Sequence, residues 1–283
     1  MKKSCIVFAC TIFSHDRLHV LEEFIDTFRK DFADSDLYIG INPGSIIAVE
    51  DTLNKSNLNI VAQKRVNPEL YSESDASAYQ LALKLLKESG NQYENYWFVH
   101  TKGGVNSHSD YLRKWYISHF LENKIEIEQL LVSNPGIGSY GMLGLEFNPN
   151  FNYSEKDTQL PLFENLIIPQ LPYPHINFFY IHTLYVIKGK IIQKFLSLIT
   201  EEWFNTKLDR YYFEGVFPFI VSRSGYYPYL SNKRSMNGID LSEVQSSWII
   251  DNNFTSYTQY LEICKTDYPF HQLNPPYYVN SNP

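Results

Sequence analysis

The 283-residue chain holds only three cysteines, Cys5, Cys10 and Cys264, and no CxxC spacing. They cannot all pair with one another, so a disulfide scaffold and a zinc knuckle are excluded and a reduced, cytoplasmic setting is the simplest expectation. Positive charge is also scarce: 24 Lys and Arg against 31 Asp and Glu give a formal net charge of -7. A nonspecific nucleic-acid binder needs the opposite balance, so no nucleic-acid partner is expected and any phosphate site must be a local arrangement. No stretch reaches the roughly 18 apolar residues of a membrane span. Met1-Lys2-Lys3 and the apolar run behind it imitate a signal peptide superficially, but the run is short and lacks a small-residue cleavage site. It reads instead as a first strand. Internal repeats and low-complexity segments are absent as well.

What is present is a large stock of core-forming residues. Hydrophobic side chains make up 44% of the chain and charged ones 19%, which allows a sizeable core and argues against global disorder. The 22 Tyr and 19 Phe can fill that core or line a pocket that stacks sugars or bases. The length suits one large domain with a tail, drawn here as 1–230 and 231–283, the tail wrapping the domain.

Over the first hundred residues strand and helix alternate. Cys5–Phe13, Leu37–Ile41, Leu58–Ala62 and Tyr96–Val99 read as strands. Between them lie a helix with Leu21, Phe24, Ile25, Phe28 and Phe32 on one face, a helix around Ile47–Asn54, and one from Asp75 to Glu88. Such alternation predicts an α/β fold, a mostly parallel central sheet with helices on both faces. The second half is less regular. It offers helices through Leu112–Phe120, Ile125–Val132 and Ile191–Ile199, a strand Ile137–Leu143, and a strand pair or one long strand over Ile176–Ile187. Glu146–Pro174 reads as a long loop or lid, and Asp209–Val221 as a helix interrupted near Pro218.

The run Tyr96-Trp97-Phe98-Val99-His100-Thr101-Lys102-Gly103-Gly104 is the most informative. A buried strand ends there in imidazole, hydroxyl and ammonium groups on a glycine turn, which suits an anion beyond the carboxyl end of a parallel strand. The same letters also describe an ordinary exposed turn.

At Trp97–Gly103 the sequence resembles the bacterial glycosyltransferase-like proteins related to rhamnan synthesis protein F, in which an apolar strand ends in His-Thr-Lys. Ser72-Glu73-Ser74-Asp75-Ala76 resembles the acidic segment before that family's matching helix, and Leu112-Arg113-Lys114-Trp115 its Trp/Arg-containing helix. Phe179 to Lys188 resembles its apolar Gly-Thr-Met-Phe-Trp strand, with His182 where the family has Gly. The likeness spans roughly residues 5 to 225. It implies a GT-A-like glycosyltransferase that takes a nucleotide-sugar donor and a surface-glycan acceptor. The Asp-x-Asp that metal-dependent GT-A enzymes place at the end of this strand is missing, His100-Thr101-Lys102 standing there. No cofactor is therefore expected, with a dependence on Mg²⁺ or Mn²⁺ left open.

On that reading Lys102, with Gly103, faces the diphosphate, His100 donates to a phosphate oxygen or ligates a metal, and Thr101 lies beside them. Thr11 meets the donor at the end of the first strand. Asp75 holds its ribose or base, although an acid opening a helix is also stabilised there by capping and the macrodipole. His182 lies on the acceptor side. Glu214, in an aromatic setting that raises a carboxyl pKa, is the leading general base, with Asp209 second; Glu214 as a solvated side chain and Asp209 as a cap are the plainer alternatives. His100 as a satisfied structural residue is another. A noncatalytic carbohydrate-binding or scaffold protein on the same fold is the rival function. His175, His182 and His271 lack metal-ligand spacing.

Overall fold

The computed structural model of the chain describes residues 2–71, 75–105, 107, 110–141, 144–146, 178–180, 183–208, 212–224, 226–230, 235–236 and 239–240. Seven strands form the central sheet: β1 (Lys2–Cys10), β2 (Asp36–Ile41), β3 (Ile60–Arg65), β4 (Tyr93–His100), β5 (Ile137–Gly141), β6 (Tyr185–Lys188) and β7 (Tyr227–Leu230). Their spatial order is β3-β2-β1-β4-β6-β5-β7. Six run in one direction, and β6 is antiparallel to both its neighbours. The chain is thus an α/β protein with a mostly parallel sheet.

Alternation along each strand explains why both faces need cover, since successive side chains point to opposite sides. Cys5, Val7 and Ala9 of β1, with Tyr96 and Phe98 of β4, join one buried cluster. It is roofed by α3 (Ala76–Ser89), α6 (Gly189–Leu198), α7 (Glu201–Phe204) and α8 (Tyr212–Arg223). Ile6, Phe8, Cys10, Trp97 and Val99 join the other, under α1 (Leu18–Asp31), α2 (Ala48–Asn54), α4 (Asp110–His119) and α5 (Lys124–Ser133). All five apolar positions expected on α1 are buried, and the Phe8 ring lies 5.2 Å from that of Phe28. Burying one such Phe stabilises the fold by about 1.5–3 kcal/mol. Cys5 and Cys10 are free and buried, and burial pushes both thiols up, away from reactivity.

Several expected boundaries shift. The first strand ends at Cys10 rather than Phe13. The third begins at Ile60 and continues to Arg65, because an edge strand tolerates the polar Gln63-Lys64-Arg65 that reads as loop. The Ile176–Ile187 run is two separate strands. Phe178–Tyr180 pairs antiparallel with Gly144–Glu146, while β6 enters the main sheet. The last described helix, Tyr212–Arg223, runs through Pro218 without the expected break. Proline removes one N–H, and the buried face Tyr212, Phe213, Val216, Phe217, Ile220 and Val221 outweighs that loss. Residues 147–174 of the expected lid lie outside the described residues. So does the tail, apart from Ser235–Met236 paired with Ile239–Asp240.

The order of the strands locates the site. The chain moves from β1 outward to β2 and β3, then returns to place β4 on the other side of β1. That reversal opens a crevice at the carboxyl ends of β1 and β4, the position where open α/β sheets take ligands.

Candidate functional site

The β1–β4 ladder ends at the pair Ala9–His100, and a threonine clasp closes the edge beyond it. The Thr11 N–H donates to Thr101 Oγ1 at 2.7 Å, and that hydroxyl donates to the Thr11 carbonyl at 3.0 Å. Thr101 therefore holds the two strand ends together, its hydroxyl engaged by backbone.

Next comes a turn. The Gly104 N–H donates to the Thr101 carbonyl at 3.0 Å, and Gly103 takes φ +85°, the positive value that the third position of a type II turn demands. A Cβ on Gly104 would stand 2.1 Å from the Thr11 carbonyl oxygen, so only glycine lets the turn sit against the end of β1. Lys102 lies half-buried on this turn.

Four charged side chains pin the turn from behind. Arg17 Nε and Nη2 donate to the Gly103 carbonyl at 3.0 and 2.6 Å. Arg17 also binds Asp110, which in turn binds Arg113, and Arg113 Nε donates to Glu23 at 2.7 Å. Hydrogen bonding from Arg17, joined by Arg113, holds the Asp110 carboxyl down at about 2. Arg113 is itself buried, so its two carboxylate partners supply what burial takes from it. A charged quartet of zero net charge thus fixes one carbonyl of a loop. Arg17 and Asp110 carry no sequence signal of this role. Arg113 lies in the segment that carries the family resemblance, without its partners being legible there.

Asp75 stands at the N-cap position of α3 but makes no side-chain capping bond. Its carboxylate turns across the crevice instead. Oδ1 accepts from Thr11 Oγ1 at 2.9 Å, and Oδ2 lies 3.9 Å from His100 Nε2. His100 is 5% exposed, and burial pushes its pKa down to about 4 against the upward pull of Asp75, with Lys102 adding to the depression. The imidazole is neutral at pH 7. The Asp75–His100 approach is therefore no ion pair under ordinary conditions.

Tyr79, buried on the apolar face of α3, reaches the site through its hydroxyl. It donates to the Thr183 carbonyl at 3.0 Å and lies 3.3 Å from His100 Nδ1. Thr183 holds φ +50°, a left-handed conformation that a β-branched residue seldom adopts and that clusters at functional sites. The Tyr79 ring also stands 5.5 Å from that of Phe213, so the first turn of α8 packs against the cluster.

The structure brings Thr11, Asp75, His100, Thr101, Lys102 and Gly103 to one crevice. Glu214 follows Phe213 in α8, but its side chain lies outside the described residues, as do Asp209 and His182 entirely. Among the described residues no group of three His, Cys, Asp or Glu could hold a metal. One imidazole and one carboxylate beside an ammonium do not fit a tightly held divalent cation. No described helix is long and apolar enough to cross a membrane.

Fold and crevice together define an α/β protein with a mostly parallel sheet and a polar crevice at the β1/β4 strand ends. The chain matches no protein-family model and no curated protein.

Proposed function

We propose that this chain is a GT-A-like glycosyltransferase that moves a sugar from a nucleoside diphosphate sugar to a glycan acceptor. The observation that carries the reading is the pinned Lys102-Gly103-Gly104 turn at the point where the strand order reverses. A mostly parallel sheet with helices on both faces is the architecture that the resemblance implies, and it supports the finer fold assignment.

Transfer needs a gripped donor, a stabilised leaving group and a base at the acceptor. Lys102 supplies a cation where negative charge grows on the departing diphosphate. The quartet behind Gly103 keeps the turn in place, so little reorganisation is needed as that charge appears. In a single displacement the acceptor oxygen bonds to the anomeric carbon. The bond from that carbon to the phosphate oxygen breaks, and its electron pair leaves with the diphosphate. The hydroxyl proton passes to a carboxylate, for which Glu214 is the choice because α8 begins against Tyr79.

Titration with uridine, guanosine and thymidine diphosphates, followed by incubation with the corresponding nucleotide sugars, tests the reading. Binding of a diphosphate and its release from a sugar donor are expected. Sugar binding without release would favour a noncatalytic carbohydrate-binding protein on the same fold.

A further inference from the structure

Behind the Lys102 turn two guanidinium groups are balanced by two carboxylates, and the carboxylates are shared unevenly. Asp110 serves both arginines: Oδ2 accepts from Arg17 Nη1 at 3.2 Å, and Oδ1 accepts from Arg113 Nη1. The Glu23 carboxylate, on α1, bonds to Arg113 alone among the described residues, accepting from Nε at 2.7 Å and from Nη2 at 3.3 Å. Pairing two oxygens with two nitrogens in this way is the strong form of the contact. The Arg113 side chain is 1% exposed and that of Arg17 10%. The turn rests on the two arginines at different points. Arg17 holds the Gly103 carbonyl, and Arg113 lies against the Gly103 Cα, where a Cβ would stand 2.5 Å from its Nη1.

We propose that Glu23 is a positioning residue for the Lys102 turn, acting through Arg113 and Asp110 with no bond to the turn itself. The inference rests on the nucleotide-sugar reading and adds a remote residue that sets how firmly the diphosphate is held. Without Glu23, one carboxylate is left between two guanidinium cations. The more deeply buried cation, Arg113, has the greater need of it, because an uncompensated charge costs more the less water reaches it. Asp110 and Arg113 also lie three residues apart on one helix, whereas Arg17 belongs to another element, the short 3-10 turn His15–Arg17. Asp110 therefore stays with Arg113 and gives up Arg17. Arg17 then loses the partner that aims its Nε and Nη2 at the Gly103 carbonyl, and Lys102 shifts with the turn.

Charge alone predicts the opposite outcome. Removing Glu23 takes a negative charge from behind the turn, which by itself attracts a diphosphate more strongly. The Glu23 side chain is 36% exposed, so water screens that attraction. The sign of the change thus separates position from field. Calorimetric titration of the full chain and its variants with uridine, guanosine and thymidine diphosphates reads it. Glu23→Ala should weaken binding about two- to thirtyfold, the range for a residue coupled to a site through a contiguous network. Glu23→Gln keeps the size and one acceptor oxygen for Arg113, and should weaken binding less. In the Lys102→Ala background Glu23→Ala should have almost no effect, since the group it positions is gone. A residue needed only for stability gives the same factor in both backgrounds.

Unchanged or tighter binding in both Glu23 variants would overturn the positioning role and leave the transferase reading intact. So would an equal loss with and without Lys102. Loss of the folded circular dichroism spectrum in both variants would overturn it as well, assigning Glu23 to stability alone. An unaltered chain that binds none of these diphosphates would overturn both the positioning role and the transferase reading.

Discussion

The two ends of the same strands carry polar clusters of similar make-up and opposite character. At the amino end, Tyr93 donates to Asp36 Oδ2 at 2.6 Å and lies 2.9 Å from the Tyr38 hydroxyl, while Asn59 donates to the other Asp36 oxygen. Ser89 and Asn91 complete contacts to Tyr38 at 2.9 Å each. Donors and acceptors are matched there. Burial, then hydrogen bonding to Asp36, pushes the Tyr93 hydroxyl far up. At the carboxyl end a neutral His100 lies 3.9 Å from the partly exposed Asp75 carboxylate, beside a lysine on a turn fixed from behind. A matched buried network specifies a fold, whereas a polar corner open to solvent at a strand-order reversal is where α/β sheets take ligands.

Substitutions at the two ends should therefore separate activity from stability. The largest effect is expected beside the carboxyl end. Glu214→Gln keeps size and polarity but removes the proton acceptor, and it should lower turnover by about 10²–10⁴-fold with donor affinity unchanged. If Asp209→Asn has that effect instead, the two roles are exchanged. Lys102→Ala should weaken nucleoside diphosphate binding by about 1.5–3 kcal/mol and leave the melting temperature nearly unchanged. Tyr93→Phe at the amino end should do the reverse. It removes the Tyr93 hydrogen bond to Asp36 Oδ2, costs about 1–3 kcal/mol of stability, and spares nucleotide binding. A Tyr93 variant that loses affinity while keeping stability would break the contrast.

How much of this was legible in the sequence follows from what each signal depends on. The strands β1, β2 and β4 and the helix α1 announce themselves because both sheet faces are covered, so their apolar residues run together or recur at helical spacing. The end of β4 was legible for the same reason: a buried run stops abruptly at donors and glycines. β3 was misplaced because its residues are only partly buried at the sheet edge, where periodicity fades. The reversal of β6 was invisible, since strand direction depends on pairing with β4 and β5 and not on the letters of Tyr185–Lys188. Arg17 and Asp110 meet across 93 residues, and Tyr79 reaches Thr183 across 104. No local pattern encodes such partners. Tyr79 in particular sits on the apolar face of α3, and only its hydroxyl departs from a core role.

Acid should sharpen the contrast more gently. His100 holds its proton more weakly when folded, about 4 against an ordinary 6.5, so the unfolded chain binds the extra proton between those values. Stability should fall as pH drops from about 6.5 to 4 and stay flat above that window. Asp110 sits at about 2 instead of 3.8, so its contribution is complete above about pH 4 and is lost as pH falls toward 2. Melting temperatures measured against pH should lose the upper slope in His100→Gln and the lower slope in Asp110→Asn. The smallest effect expected is none at all: excess chelator should leave turnover intact, and complete loss restored by Mg²⁺ or Mn²⁺ would mean that oxygen ligands beyond the described residues complete a metal site.

The most direct measurement is a crystal structure of the chain with a bound nucleoside diphosphate. The phosphates should lie at the carboxyl ends of β1 and β4, within hydrogen-bond reach of Lys102 and the backbone of the turn that Arg17 pins. A diphosphate seated away from Lys102, with that turn unchanged and empty, would contradict the assignment of this crevice as the donor site.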